Sequence, residues 1–214
     1  MKNKLPVLLL ALISLVSLGL NGFFYYQNQE DNRVVEVVDG DTFQLKSGKR
    51  VRLMGVDAPE YDRCGGEQAK ARLKELILDQ RVQLREEVTE AYGRSLALVY
   101  VDRRFINEIM MTEGWGRIDY RKNSQRQVLT DSFHQAQEAK LGIHSDLCRQ
   151  IGQTPDPDCV IKGNIDLNTY EKFYHLPGCS HYNQVVMQLD VGDQYFCTEA
   201  EASAAGFTKA SACP

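Results

Sequence analysis

The first apolar pattern in the chain is an uninterrupted run over residues 5–24 that contains no charged residue. Lysines precede the run at positions 2 and 4, and acidic residues follow it at 30 and 31. A run of about 20 apolar residues suits a bilayer span and exceeds the usual core of a secretory signal peptide. We therefore expect residues 1–26 to form a membrane anchor or a signal, with membrane contact through residues 5–26. Both interpretations place the folded part outside the cytosol.

Short stretches of alternating apolar and polar residues follow and predict β-strands. Gly40 gives a first turn and Ser47-Gly48 gives a hairpin, because glycine and serine favour tight turns. The predicted strands cover residues 34–38, 41–46, 50–55, 82–88 and 95–101.

Apolar residues at helical spacing predict three helices in the same part of the chain. They cover residues 67–78, 105–112 and 124–141, the last capped by Ser124 and ended at Gly142. The fold class is therefore α+β, a small five-stranded closed barrel decorated with three helices. Barrels of this kind commonly bind oligonucleotides, although the fold alone does not fix a function.

A change of composition divides the chain after residue 148. Residues 149–158 contain two prolines and two aspartates, which is typical of a stiff, solvated linker. Residues 159–214 then form a second unit that is too small for a large core, so that crosslinks or a metal would have to support it. The predicted domains are thus residues 33–148, the linker 149–158, and a small C-terminal accessory domain at 159–214.

Charge is distributed unevenly between these parts. The net charge is −4, and residues 33–148 contain 19 Lys and Arg against 19 Asp and Glu. Residues 149–214 contain 4 against 8 and supply the whole excess. A neutral domain argues against a tight grip on many phosphates but is compatible with transient contact with a charged substrate.

Three carboxylates and one arginine lie within twenty residues, at Asp41, Arg52, Asp57 and Glu60. The predicted hairpin returns the chain beside its start, so Asp41 and Asp57 can meet at one rim of the barrel. Their oxygens suit Ca²⁺ or Mg²⁺, and no histidine lies nearby to favour zinc. The alternative is that these aspartates form turns and loop caps, which is the interpretation we favour for Asp39.

Glu60 and two arginines complete the candidate chemistry. Glu60 follows Pro59, which restricts the backbone, and its carboxylate can take a proton from an attacking water. Arg52 and Arg94 lie on predicted strands and can bind phosphate oxygens in pairs. Taken singly, a loop glutamate and a strand arginine are more often solvated surface groups.

Three segments, VVDGDTFQL, RLMGVDAPE and YGRSLALVYVD, resemble the staphylococcal nuclease (thermonuclease) family in order, spacing and residue identity. The resemblance covers about residues 33–148 and rests on three separate motifs. It implies an OB-fold and a calcium-dependent phosphodiesterase that cleaves DNA and RNA to leave 3′-phosphates.

The resemblance also implies a role for each matching residue. Asp41 and Asp57 would be side-chain ligands of one Ca²⁺, and Ala58 would offer its backbone carbonyl. Glu60 would position or deprotonate the attacking water, and Arg52 and Arg94 would bind the phosphate. Tyrosines that contact the nucleotide would lie at Tyr92 and Tyr120.

Six cysteines in an oxidising compartment favour disulfides. Cys64 lies in the loop after Glu60 and Cys148 ends the last helical region, and we predict that these two pair. The other four cysteines, together with His175 and His181, could bind zinc, but we favour two disulfides because no C-x-x-C pair is present. These four are Cys159, Cys179, Cys197 and Cys213.

The C-terminal unit resembles the small sunset-type domain of secreted and surface proteins. Thr198, Glu201 and Gly206 predict a short capped helix within it. The chain as a whole is interpreted as a calcium-dependent extracytosolic nuclease that acts on DNA, RNA or both, without an obligate protein partner. The alternatives are a non-catalytic OB-fold that only binds nucleic acid, and a cell-surface binding module with accessory nuclease activity.

Overall fold

A computed structural model describes residues 5–91, 93–152, 154 and 156–213. The chain begins with one helix, α1, over Leu5–Asp31. Ser14 and Asn21 donate side-chain hydrogen bonds to carbonyl oxygens one turn earlier in this helix. The membrane anchor predicted for residues 5–26 is not supported, because within the described residues no helix combines the length and apolar character that a bilayer span needs.

The next part of the chain is built on a six-stranded sheet with the order β1-β2-β3-β6-β5, in which β7 pairs with β6. β3 and β6 run parallel, and the other neighbours in this sheet run antiparallel. The strands are β1 (Val34–Val37), β2 (Thr42–Leu45), β3 (Arg50–Leu53), β5 (Gln83–Thr89), β6 (Ser95–Val101) and β7 (Arg104–Phe105).

Backbone hydrogen bonds join the two edges of this sheet. The Val34 amide donates to the Gln80 carbonyl at 2.9 Å, and the Val82 amide donates to the Asn32 carbonyl at 3.1 Å. The start of β5 therefore lies against β1, and the sheet curls into a barrel. A separate short pair, β4 (Val56–Asp57) with β8 (Arg117–Ile118), extends from the end of β3.

Three helices pack on this barrel: α2 (Gly66–Ile77), α3 (Ile106–Thr112) and α4 (Arg126–Glu138). Their apolar faces and the inward strand residues form one core, which includes Phe43, Leu53, Leu73, Ile106 and Leu129. Mixed α and β elements around a closed sheet constitute an α+β OB-fold, as expected. The sheet has six strands and not the predicted five, because the short strand β7 pairs with β6.

The C-terminal unit has its own four-stranded sheet with the order β13-β10-β11-β14. A small second core, centred on Phe196 and Phe207, packs between this sheet and α5. The elements are β10 (Ile161–Ile165), β11 (Lys172–His175), β13 (Gln194–Phe196), α5 (Glu199–Ala204) and β14 (Thr208–Lys209). α5 carries the predicted capping box of Thr198 and Glu201.

One strand pair connects the C-terminal unit with the end of the barrel part. β9 (Arg149–Gln150) pairs antiparallel with β12 (Met187–Gln188). Residues 149 and 150, assigned above to the linker, are thus part of a sheet. Two linker residues, 153 and 155, lie outside the described residues.

All six cysteines are paired. Cys64 is bonded to Cys148, as predicted, and the other bonds are Cys159–Cys197 and Cys179–Cys213. The first bond ties the loop after β4 to the start of β9, and the other two close the C-terminal unit. Disulfides persist in oxidising compartments, which indicates an environment outside the cytosol.

Candidate active site

Asp41 stands at the end of a tight turn between β1 and β2. The Asp39 carboxylate accepts a hydrogen bond from the Asp41 amide at 3.0 Å, which is the turn role expected for Asp39. Gly40 lies so close to the next loop that an added Cβ would sit 2.6 Å from the Ala58 Cβ and 2.7 Å from the Ala69 Cβ. The absence of a side chain at Gly40 therefore lets the turn press against the loop and α2.

The Asp41 carboxylate is buried, with 2% of its side chain exposed. Its Oδ1 accepts from the Thr42 hydroxyl at 2.8 Å, and its Oδ2 accepts from the Ala58 amide at 2.9 Å. Burial raises the pKa of Asp41 to about 7, although Arg52 and these hydrogen bonds act in the opposite direction. The loss of hydration on burial thus outweighs the favourable effect of Arg52 on the charged form of Asp41.

Arg52 joins the two aspartates. Its Nη2 lies 2.8 Å from Asp41 Oδ2 and also contacts Asp57 Oδ1. Asp57 ends β4 and is 58% exposed at its side chain, so one carboxylate is buried and the other faces solvent. Because both contact a single nitrogen atom, the two carboxylates lie around one position that a positive group occupies. Arg52 Nε is buried without a hydrogen-bond partner, so the guanidinium retains an unused donor.

Ala58 and Glu60 lie in the loop between β4 and α2. The Glu60 backbone is fixed by Gly66, where an added Cβ would sit 2.0 Å from the Glu60 carbonyl oxygen. The Arg63 amide also donates to that oxygen at 2.9 Å. The Glu60 side chain is exposed and faces a cleft next to Asp57 and Ala58. The loop is therefore rigid while its carboxylate stays accessible.

Arg94 directly precedes β6, the parallel neighbour of β3. In the pairing of β3 with β6, Val51 lies opposite Ser95. Arg52 on β3 and Arg94 just before β6 are therefore neighbours of this pair. Arg94 Nε lies 2.6 Å from the Glu90 carboxylate, and this hydrogen bond is the main reason that the pKa of Arg94 is raised. The negative charge of Asp41 also raises the pKa of Arg94, so Arg94 is near enough to interact electrostatically with the site.

A cleft of about 800 Å³ opens beside these residues. Asp57, Ala58 and Glu60 line it, and Tyr120 lies in the same wall with 72% of its surface exposed. Tyr92, the other tyrosine expected to contact a nucleotide, lies outside the described residues. Asp41, Arg52 and Arg94 are not among the residues that line the cleft.

The donor set fits a hard cation. Asp41 and Asp57 supply carboxylate oxygens, the loop supplies the Ala58 carbonyl, and calcium and magnesium both prefer oxygen ligands. Among the residues that the structure describes, no group of three or more His, Cys, Asp or Glu side chains could hold a metal ion. A cation at this site would consequently rely on backbone oxygen and water in addition to the two aspartates.

The sequence patterns did not predict two features of the site. Glu90, which holds Arg94 and lies 2.7 Å from Arg121, is a single glutamate at the end of a strand. Residues from the C-terminal unit line the same cleft as Glu60, among them Leu167, Asn168, Tyr170 and Lys172. Proximity between segments so far apart in sequence leaves no local signal.

A barrel with two bridged aspartates, an exposed glutamate, one arginine on β3 and a second arginine just before β6 indicates a class of enzyme, the hydrolytic nucleases, which cleave phosphodiester bonds. Comparison with known proteins narrows the class. Residues 50–146 match the family model for "Staphylococcal nuclease homologue". The chain belongs to the staphylococcal nuclease family.

Individual relatives agree with this assignment. A micrococcal nuclease of Shigella flexneri is 35% identical over 127 residues, covering 53% of this chain and 72% of the relative. A thermonuclease of Staphylococcus hyicus is 34% identical over 131 residues, covering 55% and 78%. An uncharacterized endonuclease of Escherichia coli O157:H7 is 31% identical over 118 residues, covering 53% and 76%. The C-terminal unit lies beyond the residues that the family model matches.

Proposed function

We propose that this nuclease hydrolyses phosphodiester bonds of DNA, RNA or both with the help of one Ca²⁺, acts outside the cytosol, and leaves 3′-phosphates. The observation that carries the proposal is the bridge from Arg52 to both Asp41 and Asp57 beside the accessible Glu60. The relatives named nucleases and the three disulfides support the activity and the location.

Asp41, Asp57 and the Ala58 carbonyl would hold the calcium ion. Bound there, the ion would neutralise phosphate charge and polarise a phosphoryl oxygen. The raised pKa of Asp41 supports the assignment, because a buried carboxylate gains most from a nearby cation. Calcium is the hard cation that is abundant outside cells, which agrees with the disulfides.

The chain's own residues supply the remaining chemistry. Glu60, exposed in the loop after β4, orients a water molecule and takes its proton as the water attacks phosphorus. The bond from phosphorus to the 5′-oxygen breaks opposite the attacking water, and solvent protonates the leaving oxygen. Arg52 and Arg94 bind the non-bridging oxygens and stabilise the charge that grows on them. Glu90 positions Arg94 for this contact.

A digestion assay of the arginine variants tests the proposal. Arg52→Ala and Arg94→Ala should each lower kcat by about 10²–10³-fold, the usual loss for one preorganised anion-binding donor. Arg103→Ala is the matched control, because Arg103 is exposed in the turn between β6 and β7 and should leave kcat unchanged. Wild-type turnover in either site variant would refute the assigned roles.

A further inference from the structure

The C-terminal unit contributes a wall to the cleft that contains Glu60. The hairpin between β10 and β11, residues 166–171, brings Leu167, Asn168 and Tyr170 to that wall. Tyr170 is 77% exposed, and Leu167 is 42% exposed. Two large side chains at the mouth of a catalytic cleft, both open to solvent, offer apolar surface to whatever enters it.

Hydrogen bonds from the side chain and the backbone of Asp166 stabilise the turn of the hairpin. Asp166 Oδ1 accepts from the amides of Asn168 at 2.8 Å and Thr169 at 3.1 Å. The Tyr170 amide donates to the Asp166 carbonyl at 2.7 Å. Tyr170 has a φ of 60°, a left-handed conformation that favours glycine. Position 170 is therefore occupied by tyrosine, although glycine would adopt this backbone conformation more readily.

Direct contacts join the C-terminal unit to β8, the strand that pairs with β4 and Asp57. Arg117 pairs with Asp57 in the β4–β8 register, and its Nε lies 2.6 Å from Asp190 Oδ2. Arg63 Nη1 donates to the Val191 carbonyl at 3.0 Å. The Asp190 side chain is 2% exposed, so this ion pair is shielded from water. These contacts place the C-terminal unit beside the loop that carries Glu60.

The groups along the cleft match the chemistry of a nucleic acid strand. Tyr120 from the barrel part and Tyr170 from the hairpin provide two exposed rings, and exposed aromatic rings stack on bases of any sequence. Lys172 also lines the cleft, but its Nζ donates to the Ala205 carbonyl at 3.5 Å and lies 5.3 Å from the centre of the Phe207 ring. A ring can stack only on a base whose face is free, which excludes bases inside a duplex.

We propose that the 166–171 hairpin is part of the substrate site, and that Tyr170 stacks on an unpaired base beyond the two bases that flank the scissile phosphate. The inference rests on the proposed function, because the occupant is the strand whose phosphodiester Glu60 attacks. The C-terminal unit is then a substrate-binding element of the nuclease, not a separate module. It extends the contact between the protein and the nucleic acid strand beyond the phosphodiester bond that is cleaved.

The test compares Tyr170→Ala with Tyr170→Phe on two substrates, single-stranded octathymidylate and the dinucleotide with one thymidine–thymidine linkage. Both variants keep a Cβ, so the strain of the left-handed backbone at position 170 is the same in the two proteins. Tyr170→Ala should raise KM for the octanucleotide about tenfold, the loss of one stacked base, and leave kcat unchanged. Its kinetics on the dinucleotide should match those of the wild type, and Tyr170→Phe should behave as wild type throughout.

Binding gives a second readout that needs no turnover. A fluorescent phosphorothioate octathymidylate, which resists cleavage, should bind Tyr170→Ala about tenfold more weakly than the wild type in calcium buffer. Absence of wild-type cleavage would reject the proposed function, and the binding arm would still decide the role of the hairpin. Equal affinity and equal KM for Tyr170→Ala and wild type would overturn the inference. An equal loss on both substrates, not rescued by Phe, would overturn it too.

Discussion

At the residue scale, the site depends on a few carboxylates whose partners determine their roles. Asp41 is buried and touches Arg52, whereas Asp39, two residues earlier, accepts a hydrogen bond from the backbone of its own turn. The sequence predicted this division, because Asp-Gly is a turn signal and the second aspartate leads into a strand. Glu90 was missed, because nothing near it in sequence indicates that its carboxylate would grip Arg94.

The two aspartates form a matched pair for testing the metal assignment. Asp41→Asn removes the buried charge and should raise the calcium concentration for half-maximal activity at least tenfold, the order seen when groups around a metal are altered. Asp39→Asn keeps the hydrogen-bond acceptor of the turn and should leave that concentration unchanged. The measurement is initial nuclease rate against calcium. Equal shifts in both variants would show that Asp41 has no special relation to the ion.

At the element scale, most strands and helices lie within one or two residues of the predicted positions, and α4 is the main exception. Residues 95–101 were predicted as a strand, and β6 covers Ser95–Val101. Almost every residue of β6 is buried, so the local signal is a short apolar run and not the predicted alternation. α4 starts at Arg126 and not at the predicted Ser124, because the Ser124 amide donates to Glu86 while Asn123 accepts from the Gln125 amide. It also ends earlier than Leu141, at Glu138, since Lys140 adopts a φ of 52°.

The 3₁₀ turn after α4, over Gly142–His144, carries a histidine that resists protonation. His144 is buried without a hydrogen-bond partner on either ring nitrogen, and burial, followed by nearby Arg117, lowers its pKa to about 4. The unfolded chain takes up this proton near pH 6.5 and the folded chain only near pH 4. The neutral ring thus supports the fold above pH 6.5, and this contribution is lost as pH falls through that window.

His144→Leu should remove this pH-dependent contribution to stability. The free energy of unfolding of the wild type should fall relative to the variant by about 2 kcal/mol between pH 7 and pH 4.5. Urea unfolding at a series of pH values measures the difference. Asp193, whose pKa burial raises to about 6, is present in both proteins and cancels in the comparison. Parallel stability curves would contradict the account of His144.

At the scale of the whole molecule, distant contacts decide how the two parts meet. The sequence predicted the Cys64–Cys148 pairing, but not the contacts between the barrel part and the C-terminal unit. Arg117 and Asp190 are 73 positions apart, and no period or motif links them. Residues 149–150, which the sequence placed in a linker, form β9 and pair with β12. No local pattern indicates this pairing, because β12 lies far along the chain.

Removal of the Cys64–Cys148 bond should destabilise the whole protein. The bond closes a segment with a sequence separation of 84, and the Cys64→Ala/Cys148→Ala variant should lose about 3 kcal/mol of unfolding free energy. Denaturant unfolding under non-reducing conditions measures the loss. The neighbouring exposed Asp146, changed to Ala, is the control and should alter stability by no more than about 0.5 kcal/mol. A double variant as stable as the control would contradict a stabilising role for this bond.

The most direct test of the central claim is nuclease activity against free calcium, measured for the wild type and for Glu60→Gln. We expect the wild type to lose activity in a calcium chelator and to regain it along a saturable curve when calcium is added. Glu60→Gln should lose about 10²–10⁴-fold in kcat at saturating calcium, the contribution of one general base, with little change in the half-activating concentration. Full wild-type activity in the chelator, or wild-type kcat in Glu60→Gln, would contradict calcium-assisted hydrolysis with Glu60 as the base.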